Sequence, residues 1–158
     1  MKKILSMAVL FMAAITISCS SDSDGGSSSD ELFMKFKVNG TQYNYGDDDV
    51  QTLQSLSTNV MVLGDDSDNF TTLSLWMPNN KTTGAHPIVD DLANLETTYQ
   101  AHYGNADLSV DGTSGTMNIT SITTEFIEGT FNFTGTDAET GDTYNVTEGS
   151  FRAYNIED

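Results

Sequence analysis

The sequence predicts an all-β domain, a single antiparallel β-sandwich or barrel of roughly eight strands with at most one short helix. Three observations carry this. Apolar and polar residues alternate through short stretches, the two-residue period of a strand that buries one face. These stretches recur at short spacing between turns rich in Gly, Asp and Asn, with no sustained helical period. The chain has one cysteine, so no intrachain disulfide can form and the fold must rest on its core.

Residues 1 to 18 read as a cleaved secretory signal. Lys2 and Lys3 precede an apolar run, Ile4 to Ile17. That run is too short to span a bilayer comfortably, which takes about 20 residues. Acid follows it in place of a basic stop-transfer cluster. Ser18 offers a peptidase a small residue just before Cys19, and the stretch resembles a bacterial lipobox with Thr16 where Leu is commoner. A thiol at the new N-terminus accepts acyl chains, so Cys19 is the expected lipidation site. Each buried CH₂ is worth about 0.8 kcal/mol; one chain holds marginally and two or three hold stably.

Residues 19 to 31 are then the lipidated Cys and a flexible Ser/Asp/Gly tether, and residues 32 to 158 the antiparallel β domain. Twelve tether residues set the domain about 20 Å from the membrane by the random-coil relation. The acids behind Cys19 resemble the export signal that sends Bacteroidota lipoproteins to the outer face of the outer membrane. The expected location is the cell envelope, lipid-anchored to the outer membrane at the cell surface, or otherwise on its periplasmic face. After cleavage 140 residues remain, enough for one core and too few for two. Four basic side chains then stand against 23 acids, a net charge of −19. Such a balance excludes nucleic acid as a partner, because phosphates require a basic footprint.

The elements follow in order. Met34-Lys-Phe36-Lys-Val38 alternates cleanly, Asn39-Gly40 is a hairpin turn whose residues both tolerate positive φ, and Thr41 to Tyr45 return. Val60 to Leu63 and Leu73 to Met77 are the next strands, separated by the acidic turn Gly64 to Asn69 and stopped at Pro78. Gly84 to Pro87 read as a break before Ile88. Leu92, Leu95 and Tyr99 carry helical spacing behind Asp90 and Asp91, which predicts at most a turn of helix over 90 to 95 and then a strand to Tyr103. Met117 and Ile119 share a strand face. After a turn at Thr123 to Glu125, so do Ile127, Phe131 and Phe133. Tyr144 and Val146 return beyond the loop 137 to 142, and the phase slip to Phe151 beside Gly149 predicts a β-bulge.

The segments Gly129-Thr-Phe-Asn-Phe-Thr134 and Tyr144-Asn-Val-Thr-Glu-Gly-Ser-Phe151 resemble the closing hairpin of a family of small Bacteroidota lipoproteins classed as a domain of unknown function. Phe36-Lys-Val-Asn-Gly40 is similar to its first hairpin, and the resemblance runs loosely over residues 33 to 154. Where such proteins often have Gly-Thr-Tyr before a central strand, this chain has Gly84-Ala-His86. The resemblance implies a lipoprotein with a β domain and lends no catalytic residue.

Chemistry-bearing groups are sparse. Asp47 to Asp49 and Asp65 to Asn69 offer hard oxygens to calcium, but counting from Asp65 the Gly and Glu positions of an EF-hand hold Phe70 and Trp76. His86 and His102, the only imidazoles, lack the spacing of a zinc site. A Ser/His/Asp triad assembles in space and needs no motif, although the Gly-x-Ser-x-Gly elbow is absent from the sequence. Glu125 and Glu128 are two among many acids. Trp76, Tyr43, Tyr45, Tyr99, Tyr103 and Tyr154 are candidates for an aromatic binding face or for packing.

No catalytic, cofactor-binding or metal residue is therefore assigned. The expectation is a membrane-anchored lipoprotein that is not an enzyme: a non-catalytic binding or surface-interaction module, monomeric, taking a carbohydrate, peptide or small apolar ligand. The alternatives are a β-barrel carrier of a small apolar ligand and, last, a hydrolase.

Overall fold

The computed structural model describes residues 31–55, 59–66 and 70–156. Cys19, the signal segment and the tether up to residue 30 lie outside them, as do residues 67–69 of the acidic turn. The described chain forms ten strands: β1 (Phe33–Val38), β2 (Thr41–Tyr45), β3 (Val50–Ser55), β4 (Asn59–Asp66), β5 (Thr71–Pro78), β6 (Gly84–Ile88), β7 (Gln100–Asn105), β8 (Leu108–Ile122), β9 (Phe126–Asp137) and β10 (Thr143–Tyr154). One 3₁₀ turn, Leu92–Asn94, is the only helical element among the described residues. The all-β expectation holds, with ten strands where roughly eight were read.

The strands pair antiparallel in the order β2-β1-β10-β9-β8-β7-β5-β4-β3, and β6 also pairs with β8. The sheet curls until its two edges meet, giving a nearly closed barrel. At the seam Tyr45 Oη donates to Thr71 O at 3.1 Å and Thr52 Oγ1 donates to Tyr154 O at 2.8 Å. Residues 46–49 carry the chain round the corner from β2 to β3, and Asp49 O accepts the Asp65 N–H across it.

The two strands that sequence reading missed lack its signal for physical reasons. In Val50-Gln-Thr-Leu-Gln-Ser the apolar residues are three apart; Val50 is buried while Leu53 is exposed, so this edge strand is held by one anchor. Gly84-Ala-His-Pro-Ile contains two breakers. Pro87 is tolerated because β6 pairs on one side only, so the missing N–H faces no neighbour. β4 also runs on through Gly64 to Asp66, which was read as turn. Gly64 pairs with Val50 and Leu73 on either side, beneath the Tyr45 ring.

β6 and β7 lie end to end along β8. The first pairs with residues 115–119 and the second with 108–111. A bridge from Ile88 to Tyr99 and a hydrogen bond from Val89 N to Tyr99 O close the gap between them. The chain between, residues 89–98, leaves this line of strand and rejoins it.

The interior is filled with side chains. Met34, Phe36, Leu73, Leu75, Met77, Met117, Ile127, Phe133 and Phe151 are all but inaccessible to solvent. Phe131 and Phe133 are buried on one parity of β9 while Thr130 and Asn132 are exposed, as the alternation predicted. Two Phe residues of the closing hairpin lie over a glycine of the partner strand: Phe151 pairs with Gly129, and Phe131 with Gly149. A methyl group on Gly149 would come within 2.5 Å of the Phe131 ring, and one on Gly129 within 2.8 Å of the Phe151 ring. These rings occupy space that any larger residue would deny them. The expected bulge is present, with a register shift between Val146 and Gly149 and Glu148 at φ 53°. Asn39 and Gly40 both have positive φ, as a two-residue hairpin requires.

Candidate functional site

Outward residues of three adjacent strands meet on the flank of the barrel. The register sets Ser74 of β5 beside His102 of β7, and His102 beside Asp111 of β8. Trp76 lies two residues beyond Ser74 on the same face. The loop 89–98 stands over them and supplies Leu92 and Leu95, enclosing a groove of about 250 Å³. Gln100 completes its lining.

The loop is held by its own polar groups. Asn94 Nδ2 donates to both carboxylate oxygens of Asp91, and the Asn94 carbonyl accepts the hydroxyls of Thr97 and Thr98. Gln100 Nε2 donates to Asp91 O and to Thr98 Oγ1, each at 2.9 Å, which ties loop to strand. Leu92 remains largely exposed at the rim.

Within the groove, His102 Nδ1 and Asp111 Oδ1 are 2.9 Å apart. The carboxylate accepts the Nδ1–H, which sets the tautomer in which the Nε2 of a neutral ring is the acceptor. The Ser74 hydroxyl accepts the Trp76 indole N–H at 3.3 Å. Ser74 and Gln100 are each 7% exposed. Among the described residues the Ser74 proton, Gln100 Oε1 and His102 Nε2 have no protein partner. Ser74 and Gln100 are nearly buried residues whereas the His102 side chain is 32% exposed, and the groove-facing capacity of all three is there for water or a ligand to complete.

A second, larger recess of about 400 Å³ lies at one end of the barrel, between the β1–β2 turn, the β7–β8 turn and the β9–β10 loop. Several of its polar groups serve one another. Tyr103 Oη donates to Tyr43 Oη at 3.3 Å, and Asn105 Oδ1 accepts the Asp107 N–H. Asp137 accepts the Thr140 hydroxyl at 2.8 Å and the Thr140 N–H at 3.1 Å. The Thr140 hydroxyl above all holds the Asp137 carboxyl below the usual carboxylate range, against the opposing effect of burial. Burial raises the Tyr103 hydroxyl well above the ordinary tyrosine value, as does its hydrogen bond to Tyr43.

The remaining candidates are structural where they are described. His86 stacks on Tyr99 with ring centroids 3.9 Å apart and donates from Nε2 to Thr82 O at 2.8 Å. Asp47 Oδ1 accepts the Leu32 N–H and Asp49 Oδ2 the Gly46 N–H, so these carboxylates are spent on the corner. Asp65 and Asp66 end a strand. Glu128 pairs with Arg152 at 3.3 Å, and Glu125 is an exposed turn residue. No group of three His, Cys, Asp or Glu side chains arranged to hold a metal occurs among the described residues. Of the aromatic candidates, Tyr45 and Tyr99 are buried, Tyr43 and Tyr103 meet at the barrel-end recess, and Tyr154 stacks on Phe126, so the six do not share one face; Trp76 alone lines the flank groove. Sequence reading named His102 and Trp76 and missed Ser74, Gln100, Asp111, Leu92 and Leu95. Only the strand register, absent from any local pattern, brings these together.

A family model described as a domain of unknown function, DUF6252, matches residues 33–155. Neither a curated protein nor a solved structure matches the chain. The family span runs from the first residue of β1 to just past the last of β10, so the unit shared with the family is the whole barrel, and the chain belongs to the DUF6252 family.

Proposed function

We propose that the chain is a membrane-anchored lipoprotein whose barrel is a non-catalytic binding module, with the flank groove as its ligand site. The observation that carries this is the unspent hydrogen-bonding capacity of Ser74, Gln100 and His102 beside the indole of Trp76. The filled interior argues against a carrier whose cargo sits inside the barrel, because Phe131, Phe133 and Phe151 occupy that space. The anchor reading rests on the apolar run, Ser18 and Cys19, and the domain begins at Phe33 on β1, four strands round the barrel from β7. A ligand on the flank is thus approached from the side of the tethered domain. Radiolabelled palmitate should enter the wild-type protein and not Cys19→Ala, and Cys19→Ala should leave the membrane fraction. Labelling of the Ala variant would remove the anchor from this reading.

A hydrolase is the second reading, because Ser74, His102 and Asp111 stand in one row. Serine catalysis requires the imidazole to take the proton of the attacking hydroxyl. Here Ser74 Oγ accepts the Trp76 indole N–H, and among the described residues no hydrogen bond joins it to the His102 ring, which favours recognition over nucleophilic attack. Purified protein should turn over no ester, glycoside, peptide or phosphate. A turnover abolished by His102→Ala would replace binding with hydrolysis.

A further inference from the structure

We infer that the flank groove recognises a neutral saccharide, one sugar ring at a time; this rests on the groove being the ligand site. Every hydroxyl of a sugar donates and accepts, and its ring carries a C–H face that packs on aromatic and aliphatic carbon. The groove supplies both kinds of contact. Gln100 Oε1 and His102 Nε2 accept, the Ser74 hydroxyl donates, and the Asp111 oxygen not engaged by His102 accepts from the exposed side. Trp76, Leu92 and Leu95 provide the apolar wall. Ser74 and Gln100 are each more than nine-tenths buried, so the capacity they hold in reserve is fixed in place before any ligand arrives.

The other ligand classes fit worse for separate reasons. An extended peptide binds a sheet through unpaired backbone groups at an edge. At this point β5, β7 and β8 are already paired with one another across Ser74, His102 and Asp111. An anion meets the Asp111 carboxylate in a domain of strongly negative charge. A wholly apolar ligand would strip solvent from the polar floor and return no hydrogen bonds to it. The volume, about 250 Å³, lies just under the ordinary range of about 300–1,000 Å³ for ligand pockets, which suits a single ring.

Trp76 is the only tryptophan of the chain and lines the groove, so its fluorescence reports occupancy directly. The whole lipid-free mature chain, made as Cys19→Ala, is titrated with the methyl α- and β-glycosides of glucose, galactose, mannose and N-acetylglucosamine. A neutral tripeptide and palmitate are titrated in parallel. The expected result is a saturable change in Trp76 emission with at least one glycoside. Binding should weaken about tenfold or more in Asp111→Ala and in Ser74→Ala, the loss expected for a well-placed polar contact. It should be unchanged in Asp107→Ala, at the other recess. Thermal melts establish that each variant is folded, and Asp111 is exposed enough to be replaced without disturbing the core. No response to any glycoside, or a response that survives both groove substitutions, overturns the saccharide assignment. A response to the tripeptide or palmitate alone overturns it while leaving the groove as a ligand site. Silence toward every probe overturns both.

Discussion

The two recesses differ in a way that volume does not capture. The larger one, at the barrel end, is crossed by hydrogen bonds between its own lining residues: Tyr103 with Tyr43, Asn105 with the Asp107 N–H, and Asp137 with Thr140. The smaller one, on the flank, is lined by Ser74, Gln100 and His102, which keep part of their capacity in reserve. A hollow whose polar groups satisfy one another is a cap on a fold. One whose nearly buried polar residues keep capacity for a further partner is a candidate place to bind, where a ligand gains the difference between its hydrogen bonds and those of the water it displaces.

That contrast breaks most visibly in the core beneath the barrel-end cap. Replacing Phe131 or Phe133 by Ala should cost about 3–5 kcal/mol in a urea titration, whereas Thr130→Ala and Asn132→Ala should cost far less. Equal losses on both parities would contradict the burial pattern. Gly149→Val should cost less, about 1–3 kcal/mol, since it drives a side chain into the Phe131 ring.

A pH series sharpens the same distinction. Tyr45, Tyr99 and Tyr103 are buried and their hydroxyls raised mainly by that burial, so the folded protein holds protons that the unfolded chain releases above about pH 10. The stability they contribute is complete below that pH and is lost as pH rises through the folded values. Midpoints measured from pH 8 to 11 should therefore fall. Asp137 acts with the opposite sign. Its lowered carboxyl stabilises the fold above the ordinary Asp value of about 3.9, and that contribution disappears as pH drops through the folded value. Thr140→Ala should bring the acid transition to higher pH.

The smallest effect belongs to the groove. Asp111→Ala should change stability by no more than about 0.5 kcal/mol, and a groove variant that unfolds the protein would show these side chains to be structural after all.

What could be read beforehand divides along the same line. The alternation of Met34, Phe36 and Val38, the Asn39-Gly40 turn, the parity of Ile127, Phe131 and Phe133 and the slip at Gly149 are local patterns, and each expectation was met. The residues that resemble the family's closing hairpin turn out to be packing residues: Gly129 and Gly149 make room for Phe151 and Phe131. A family pattern of this kind specifies a barrel and is silent on its ligand. The groove was illegible because Ser74, His102 and Asp111 are brought together only by the register of three strands. The edge strands β3 and β6 were missed because one rests on a single buried Val50 and the other is written with Gly84 and Pro87.

The end-to-end placement of β6 and β7 along β8 has a consequence for how far the groove can be altered. Residues 89–98 depart from one line of strand and return to it at a junction already fastened by Ile88, Val89 and Tyr99. Their length and composition can vary while the ladder on either side keeps its pairing, since the cost of a longer surface loop grows only slowly with its length. The wall that Leu92 and Leu95 raise over Trp76 is in this sense an exchangeable cassette. The strands beneath keep their pairing whatever that segment becomes, so the wall can be rebuilt without refolding the barrel.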